Sequence, residues 1–400
     1  MSSPVPARGP GFPRGSGLPR GLVLLLSLAA IWLVLAGMRE LAGLVVPVFL
    51  ALNLMIAAQP LSDLIQRAGA PRLVGSLAAM LAVLLALGVF FLAIGWSIRT
   101  LVLELPGYSA SFNDLLQRSL EALAEVGVSQ EQISAWLAQF SFASLFGLLN
   151  QALSSVSAVG GLVAASVATI IFFGLDATGL PERMAVIERL QPRIAHALAD
   201  FALSVRTYWL VTTVFGAVVA VIDGLALWAL GVPLPAVWAV LLFVCNYIPN
   251  IGFVIAMVPP TLMALLDQGP WTAVAVVAVC VVVAMVLQGL VQPRVTGRAV
   301  GLAPSISFLS VLFWSWVLGA AGALLSVPMT LLVKEILVDA DDEARWLNAL
   351  VADSPRAALE SPQERVGGDA RPGGASAAEE APAPGGEPPS ATAAPPAAGE

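Results

Sequence analysis

The stretch PAVWAVLLFVCNYIPNIGFVIAMVPPTLMALL, from Pro235 to Leu266, is apolar at both ends and interrupted in its middle by NYIPNIG. Pro249 has no N–H and leaves a carbonyl one turn back without a helical partner, and Gly252 permits backbone angles that end a helix. In lipid an unpaired backbone group costs several kcal/mol, so such a break survives only inside protein or beside water. The stretch therefore predicts a broken helix within a membrane.

The first arm of this broken helix is short for a membrane span. Pro235 to Tyr247 makes roughly 20 Å of helix, whereas the hydrocarbon core is about 30 Å thick. The two arms therefore favour a re-entrant hairpin, and a kinked spanning helix is the alternative interpretation. Broken helices of this kind hold the solute sites of transporters. The candidate solute contacts at this break are Asn246, Tyr247, Pro249, Asn250 and Gly252.

The composition is typical of a polytopic all-α membrane protein. The chain is 58% hydrophobic and 11% charged, against roughly 25% charged residues in soluble domains. Its net charge of -7 comes from the end of the chain, because residues 339–400 hold twelve acids and four arginines, a net of -8, which leaves +1 for residues 1–338. This distribution gives no indication of a nucleic-acid partner.

Several kinds of enzyme are disfavoured by residues that are rare here. Lys334 is the only lysine and does not follow a G-x-x-x-x-G sequence, so it cannot form a phosphate-binding loop. His196 is the only histidine, which excludes an H-E-x-x-H zinc site and places any serine–histidine pair in a charged segment. We therefore expect no enzymatic activity, no cofactor and no metal.

The apolar runs predict about six full spans and two broken elements, or eight spans if both broken elements cross. A signal peptide is the rival interpretation of the first run, but a second apolar run follows at once and favours a retained helix. The second broken element, 304–337, is interrupted at Gly319 and Gly322 and kinked at Pro328. The six predicted spans are 22–36, 41–58, 73–95, 156–175, 207–230 and 271–292.

Three domains follow from this pattern: a disordered cytoplasmic N-terminus (1–21), a transmembrane transporter domain (22–337) and an acidic Pro/Ala/Gly-rich tail (338–400), predicted to be disordered because it has few large apolar residues. Residues 96–155 are predicted to form extracytoplasmic amphipathic helices, and 176–206 cytoplasmic helices.

Arginines set the predicted orientation. They place both termini in the cytoplasm, and the arginines after the sixth span favour two hairpins that enter from opposite faces.

Three further polar side chains lie within the predicted spans. Asp223 is the one acid deep in a span, where a carboxylate is costly and usually faces the bundle interior, pairs, or binds ions and protons. The alternative is a position near the outer end of its helix, facing water. Gln288 and Gln292, four residues apart, are candidate solute contacts or helix–helix hydrogen-bonding groups.

Three motifs resemble those of a known family. FVCNYIPNIGFVIAMVPP (243–260), QPRVTGRAVGLAP (292–304) and FWSWVLGAAGALLSVPMTLLVK (313–334) are similar to the autoinducer-2 exporter family of PerM-like permeases, over about residues 20–337. The resemblance implies an inner-membrane transporter that is a homo-oligomer in related proteins. The family is linked to export of the quorum-sensing signal autoinducer-2, and some members to sodium or lithium/proton antiport.

The family motifs fall on specific residues of this chain. Gln292 stands where relatives often have Glu, which counts against antiport here, and Asp223 matches no family motif. The matched positions are Ile248, Pro249 and Gly252 for I-P-x-x-G, Pro293, Arg294 and Gly297 for P-R-x-x-G, and Gly319 and Gly322 for G-x-x-G.

Three hypotheses of function follow. The first is a transporter that moves a small polar solute between the two broken elements. The second is a cation/proton antiporter that uses Asp223. The third is a non-transporting membrane scaffold that works through 96–155. The expected partners are membrane lipid, a small polar solute or cation, and further copies of the chain.

Overall fold

The computed structural model describes residues 19–125, 142–249, 251–292 and 302–339, which are almost entirely helical. The chain divides into two units, 1–358 and 359–400, and all described residues belong to the first. Most of the predicted tail, and residues 1–18 of the predicted N-terminal domain, lie outside them. The predicted all-α fold is confirmed.

Among the described residues, the first half of the chain forms five long helices, with a 3-10 turn at Leu105–Tyr108. α2, α3 and α5 pack together around a small core that contains Ala51, Val83 and Ile170. The Ser76 hydroxyl joins two of these helices, because it donates to the carbonyl of Gly174. The helices are α1 (Arg20–Glu40), α2 (Ala42–Arg67), α3 (Arg72–Glu104), α4 (Ser109–Glu125) and α5 (Phe142–Asp176).

The second half carries both broken elements. Its helices are α6 (Leu180–Leu190), α7 (Pro192–Ala229), α8 (Pro235–Cys245), α9 (Ile251–Gln268), α10 (Pro270–Ala284), α11 (Pro304–Leu318), α12 (Ala320–Leu324) and α13 (Ser326–Lys334). A π-helical turn extends α10 at Met285–Val291, and another follows α13 at Glu335–Asp339.

Seven of the described helices are long and apolar enough to cross a membrane. Six correspond to the six predicted spans, and the seventh is α9, the second arm of the first broken element. α1 buries none of its apolar side chains fully inside the protein, which suits a lipid-facing helix. It meets α11 through Trp32 and Trp316, whose ring centroids are 5.8 Å apart.

The predicted cytoplasmic helix and the fifth predicted span form one continuous helix, α7. Pro192 occupies the first turn of this helix, directly after the break at Gln191 that separates α7 from α6. Proline is favoured there because its missing N–H would have no helical partner in any case. At 38 residues, or about 57 Å, α7 is much longer than the bilayer core.

The first broken element is a helical hairpin. α8 has 11 residues, about 16 Å of helix, which is too short to span. The arms return to the same level, because Gln268 at the end of α9 donates from Nε2 to the carbonyl of Gly231, just after α7, at 2.5 Å. The hairpin therefore has its base at Gly231 and Gln268 and its tip at residues 246–249.

The second broken element is also a hairpin. α11 ends at Gly319, whose φ of 70° lies in the left-handed region that favours glycine. α11 and α13 lie side by side, joined by a 3.0 Å hydrogen bond from Trp314 Nε1 to Thr330 Oγ1. The second break falls at Leu325, so Pro328 occupies the first turn of α13 rather than kinking its middle.

Candidate functional site

Asn246 is the first residue after α8, and its half-buried side chain turns toward α7. Its Nδ2 donates to the backbone carbonyl of Thr212 at 3.0 Å. The approach is possible because residue 216 is glycine: a Cβ built there would lie 2.6 Å from the same nitrogen. The amide therefore ties the hairpin tip to α7.

Gln288 completes this amide pair from α10. Its Nε2 donates to Asn246 Oδ1 at 3.3 Å, and it lies in the π-helical turn that ends that helix. π turns often occur at functional sites, because the extra residue changes the direction of nearby side chains. The predicted contacts Asn246 and Gln288 are thus brought together, and Gln292 follows at the end of the turn.

Tyr247 is buried beside this amide pair. Its hydroxyl lies 2.9 Å from Thr213 Oγ1, and its carbonyl accepts a 3.2 Å hydrogen bond from the Tyr208 hydroxyl. Aromatic rings surround it at centroid distances of 5.5 to 6.4 Å. These rings belong to Phe90, Trp209 and Phe243.

The backbone at the break satisfies its own hydrogen bonds. The carbonyl that Pro249 cannot reach, that of Cys245, accepts from Ile248 N at 2.9 Å, and Ile248 O accepts from Gly252 N at 3.0 Å. The prediction that Pro249 frees a carbonyl at this position is therefore wrong, since a tight turn supplies the missing donor. The polar groups available to a solute here are side-chain amides and hydroxyls.

Gly252 has a different role from the predicted one. It lies inside α9 rather than ending a helix, and a Cβ there would overlap the carbonyl oxygen of Cys245. Gly322 is used in the same way in the second hairpin, where a Cβ would overlap the carbonyl of Trp314. Each glycine lets one arm fold tightly onto the end of the arm before it.

The two hairpins share one buried apolar cluster. Tyr247 of the first tip belongs to the cluster that also contains Leu318 and Leu325, which flank α12 of the second. Gly319 follows Leu318 in the chain and Gly322 lies between Leu318 and Leu325, so both glycines adjoin members of this cluster. Among the predicted residues, Asn250, Pro293, Arg294 and Gly297 lie outside the described parts of the chain.

Asp223 lies away from the amide pair, about 10 Å along α7 from Gly216. Its side chain is fully buried, with 0% exposure, and neither carboxylate oxygen has a hydrogen-bond partner among the described residues. Its neighbour Gly224 faces Ala239 of α8. The carboxyl therefore lies inside the protein between the tip and the base of the first hairpin, rather than at a water-facing helix end.

One further buried polar residue was missed by sequence reasoning. Asn53 of α2 is fully buried. Its Nδ2 donates to Phe49 O at 2.7 Å, and its Oδ1 accepts a 3.5 Å hydrogen bond from Trp209 Nε1. An amide within the apolar second span is the signal that could have identified it. Within the described ranges, no group of three His, Cys, Asp or Glu side chains could hold a metal ion.

Comparisons with known proteins agree with this architecture. Residues 22–340 match the model of the AI-2E family of transporters. The AI-2 transport protein TqsA of Escherichia coli K12 is 31% identical over 331 residues, which cover 78% of this chain and 91% of TqsA.

Two further transport proteins are similar to this chain over most of their length. The putative transport protein YhhT of the same strain is 32% identical over 78% of this chain and 89% of YhhT. A putative transport protein of Haemophilus influenzae is 28% identical over 80% of this chain and 94% of its own length. The chain is a multi-pass membrane protein that belongs to the AI-2E transporter family.

Proposed function

We propose that this transporter moves a small polar solute across the bacterial inner membrane, along a path between the two hairpin tips. The observation that carries this proposal is the amide pair of Asn246 and Gln288, joined at 3.3 Å. Amides offer both donors and acceptors without net charge, which suits a neutral, hydroxyl-rich solute better than an ion.

The surroundings of the pair support the same class of solute. Hydroxyls of Thr213 and Tyr247 lie close by, 2.9 Å from each other, and aromatic rings form the adjacent wall. A mostly apolar lining with a few placed polar groups is typical of small-molecule sites. Autoinducer-2 is the first solute to test, because the relative TqsA is named for its transport.

The experiment is exchange of radiolabelled autoinducer-2 in proteoliposomes that contain the purified full chain. Asn246→Leu and Gln288→Leu should each abolish exchange while leaving insertion intact, since each removes half of the amide pair. Gln66→Leu is the matched control, because the Gln66 amide donates to Ser62 on its own helix at 2.9 Å. Exchange by Asn246→Leu at the wild-type rate would remove this residue from the path.

A second candidate function, cation/proton antiport, is favoured by one observation. The Asp223 carboxyl is fully buried and has no hydrogen-bond partner in the described chain, and such groups in membrane proteins commonly carry protons or ions. A sodium- or lithium-driven pH change inside proteoliposomes tests this candidate. The assembly is proposed to be a homo-oligomer with both termini in the cytoplasm.

A further inference from the structure

A buried ionic cluster lies at the end of α13, where the second hairpin ends, and it is separate from the amide pair. Lys334, the only lysine of the chain, is 7% exposed at the end of α13. Its Nζ lies 2.5 Å from Asp339 Oδ2 and 3.4 Å from Glu335 Oε1. Lysine is seldom buried this deeply unless it is paired, and Asp339 is its close partner.

Glu335 is the unsatisfied member of this cluster. It is 4% exposed, and its Oε1 lies 3.4 Å from the ammonium, well beyond the 2.7–2.9 Å of a strong charge-assisted hydrogen bond. Its Oε2 is buried with no hydrogen-bond partner among the residues that the structure describes. A buried carboxylate with a free oxygen is costly, so the site favours the neutral, protonated acid.

The charges around Glu335 support the same state. Burial raises the pKa of the Glu335 carboxyl, and the ammonium of Lys334 lowers it. The charge of Asp339, a side-chain hydrogen bond with Asp339 and the charge of Asp200 raise this pKa further. Lys334 belongs to α13, Asp339 to the same π turn, and Asp200 to the first part of α7, against which the turn packs. Among the described residues, Asp339 and Asp200 thus oppose ionisation of Glu335, whereas Lys334 favours it.

The position of the cluster connects it to the second hairpin. Glu335 begins a π-helical turn, a form that frequently occurs at functional sites. Lys334 lies one turn beyond Thr330, which accepts the Trp314 hydrogen bond between the two arms. A movement of α13 relative to α7 would therefore expose Glu335 to water.

We propose that Glu335 is a proton-binding site, separate from the solute path, which holds its proton while α13 packs on α7 and releases it to water when the two separate. This site is independent of Asp223. Asp223 lies in the second half of α7, whereas Asp200, the α7 acid near Glu335, lies in the first half. The inference goes beyond the proposed solute transport, because it holds whichever solute moves.

Infrared difference spectroscopy of the purified full chain tests this site without any solute. A spectrum at acid pH minus one at neutral pH should show the carbonyl stretch of a buried protonated carboxyl. In an Asp223→Asn background, which removes the other buried carboxyl among the described residues, Glu335→Gln should lose this band, whereas the exposed control Glu188→Gln should keep it. The same band with and without Glu335→Gln in this background would overturn the proposal.

Thermal unfolding against pH gives a second readout. A folded-state pKa above the unfolded value, about 4.3 for Glu, gives stability that is fully present below that value and is lost as pH rises through the folded pKa. Wild type should therefore lose more stability over this window than Glu335→Gln. An identical loss in both would contradict the proposal. Failure of Glu335→Gln to fold would also contradict it, because the amide imitates the protonated acid.

Discussion

Asn246 contacts α7 at a position where only glycine leaves room for its amide. A Cβ on Gly216 would lie 2.6 Å from Asn246 Nδ2, the atom that donates to Thr212 O at 3.0 Å. The tip of the first hairpin therefore contacts α7 through this amide, in addition to the hydrogen bonds of Tyr247 with Tyr208 and Thr213 on the same helix.

Gly216→Ala should displace the Asn246 amide without unfolding the protein, since the atom that must move is the end of a flexible side chain. Loss of one hydrogen bond worth about 1 kcal/mol corresponds to about a fivefold change in an equilibrium. We expect autoinducer-2 exchange in proteoliposomes to fall by about fivefold or more. Gly88→Ala is the control, because a Cβ there meets open space. Equal exchange by the two variants would contradict the role of Gly216.

Gly252→Ala and Gly322→Ala should damage the fold rather than the chemistry. Each new methyl group would overlap a backbone carbonyl, that of Cys245 or of Trp314, and backbone cannot yield as a side chain can. Overpacking of this kind costs about 1–3 kcal/mol or more. Fluorescence-detected size exclusion should show a lower folded yield and a lower melting temperature for both variants. Wild-type profiles for both would show that the hairpin turns tolerate a Cβ.

Those two glycines illustrate what the sequence could and could not predict. Proline and glycine inside apolar runs predict both hairpins correctly, because helix breaks in lipid have few solutions. The steric role of Gly252 cannot be predicted from the sequence, because it depends on how closely the start of α9 approaches the end of α8. Likewise, Thr212 and Asn246 lie 34 residues apart, and only helix packing decides that they meet.

Asp223 shows the same limit for a single residue. Its place in an apolar run marks it as unusual, but the choice between a water-facing helix end and the protein interior depends on rotation of α7. The structure places it in the interior. The apolar run predicts an ordinary span over 271–292 and does not predict the π turn that directs Gln288 toward Asn246.

The hydroxyls of Tyr247 and Thr213 share one hydrogen bond, so the stability losses from removing them should not add. Tyr247→Phe keeps the ring contacts and Thr213→Val keeps the side-chain shape, so each should lower the free energy of unfolding by about 1 kcal/mol. The double variant should cost no more than either single variant, because both remove the same 2.9 Å contact. Reversible unfolding in mixed micelles measures all three. Additive losses would show that the two hydroxyls act independently.

Asp223→Asn separates the two candidate functions. If the chain is an antiporter, this variant should lose the sodium- or lithium-driven pH change at every pH, because the amide cannot exchange a proton. If the chain moves a neutral solute, the variant should keep autoinducer-2 exchange. Glu104→Gln, which alters an exposed acid of α3, is the control. An undiminished pH change in Asp223→Asn would exclude Asp223 as the coupling group.

The central claim is that the first hairpin tip lies on a water-filled path, and cysteine accessibility tests it most directly. Cys245 and Cys280, both buried, are first replaced by serine, and Asn246→Cys is then compared in intact membranes with Val218→Cys, an exposed apolar position of α7. A membrane-impermeant thiosulfonate should modify the cysteine at 246 and leave the cysteine at 218 unmodified. Equal resistance at 246 and 218 would contradict a path through the tip.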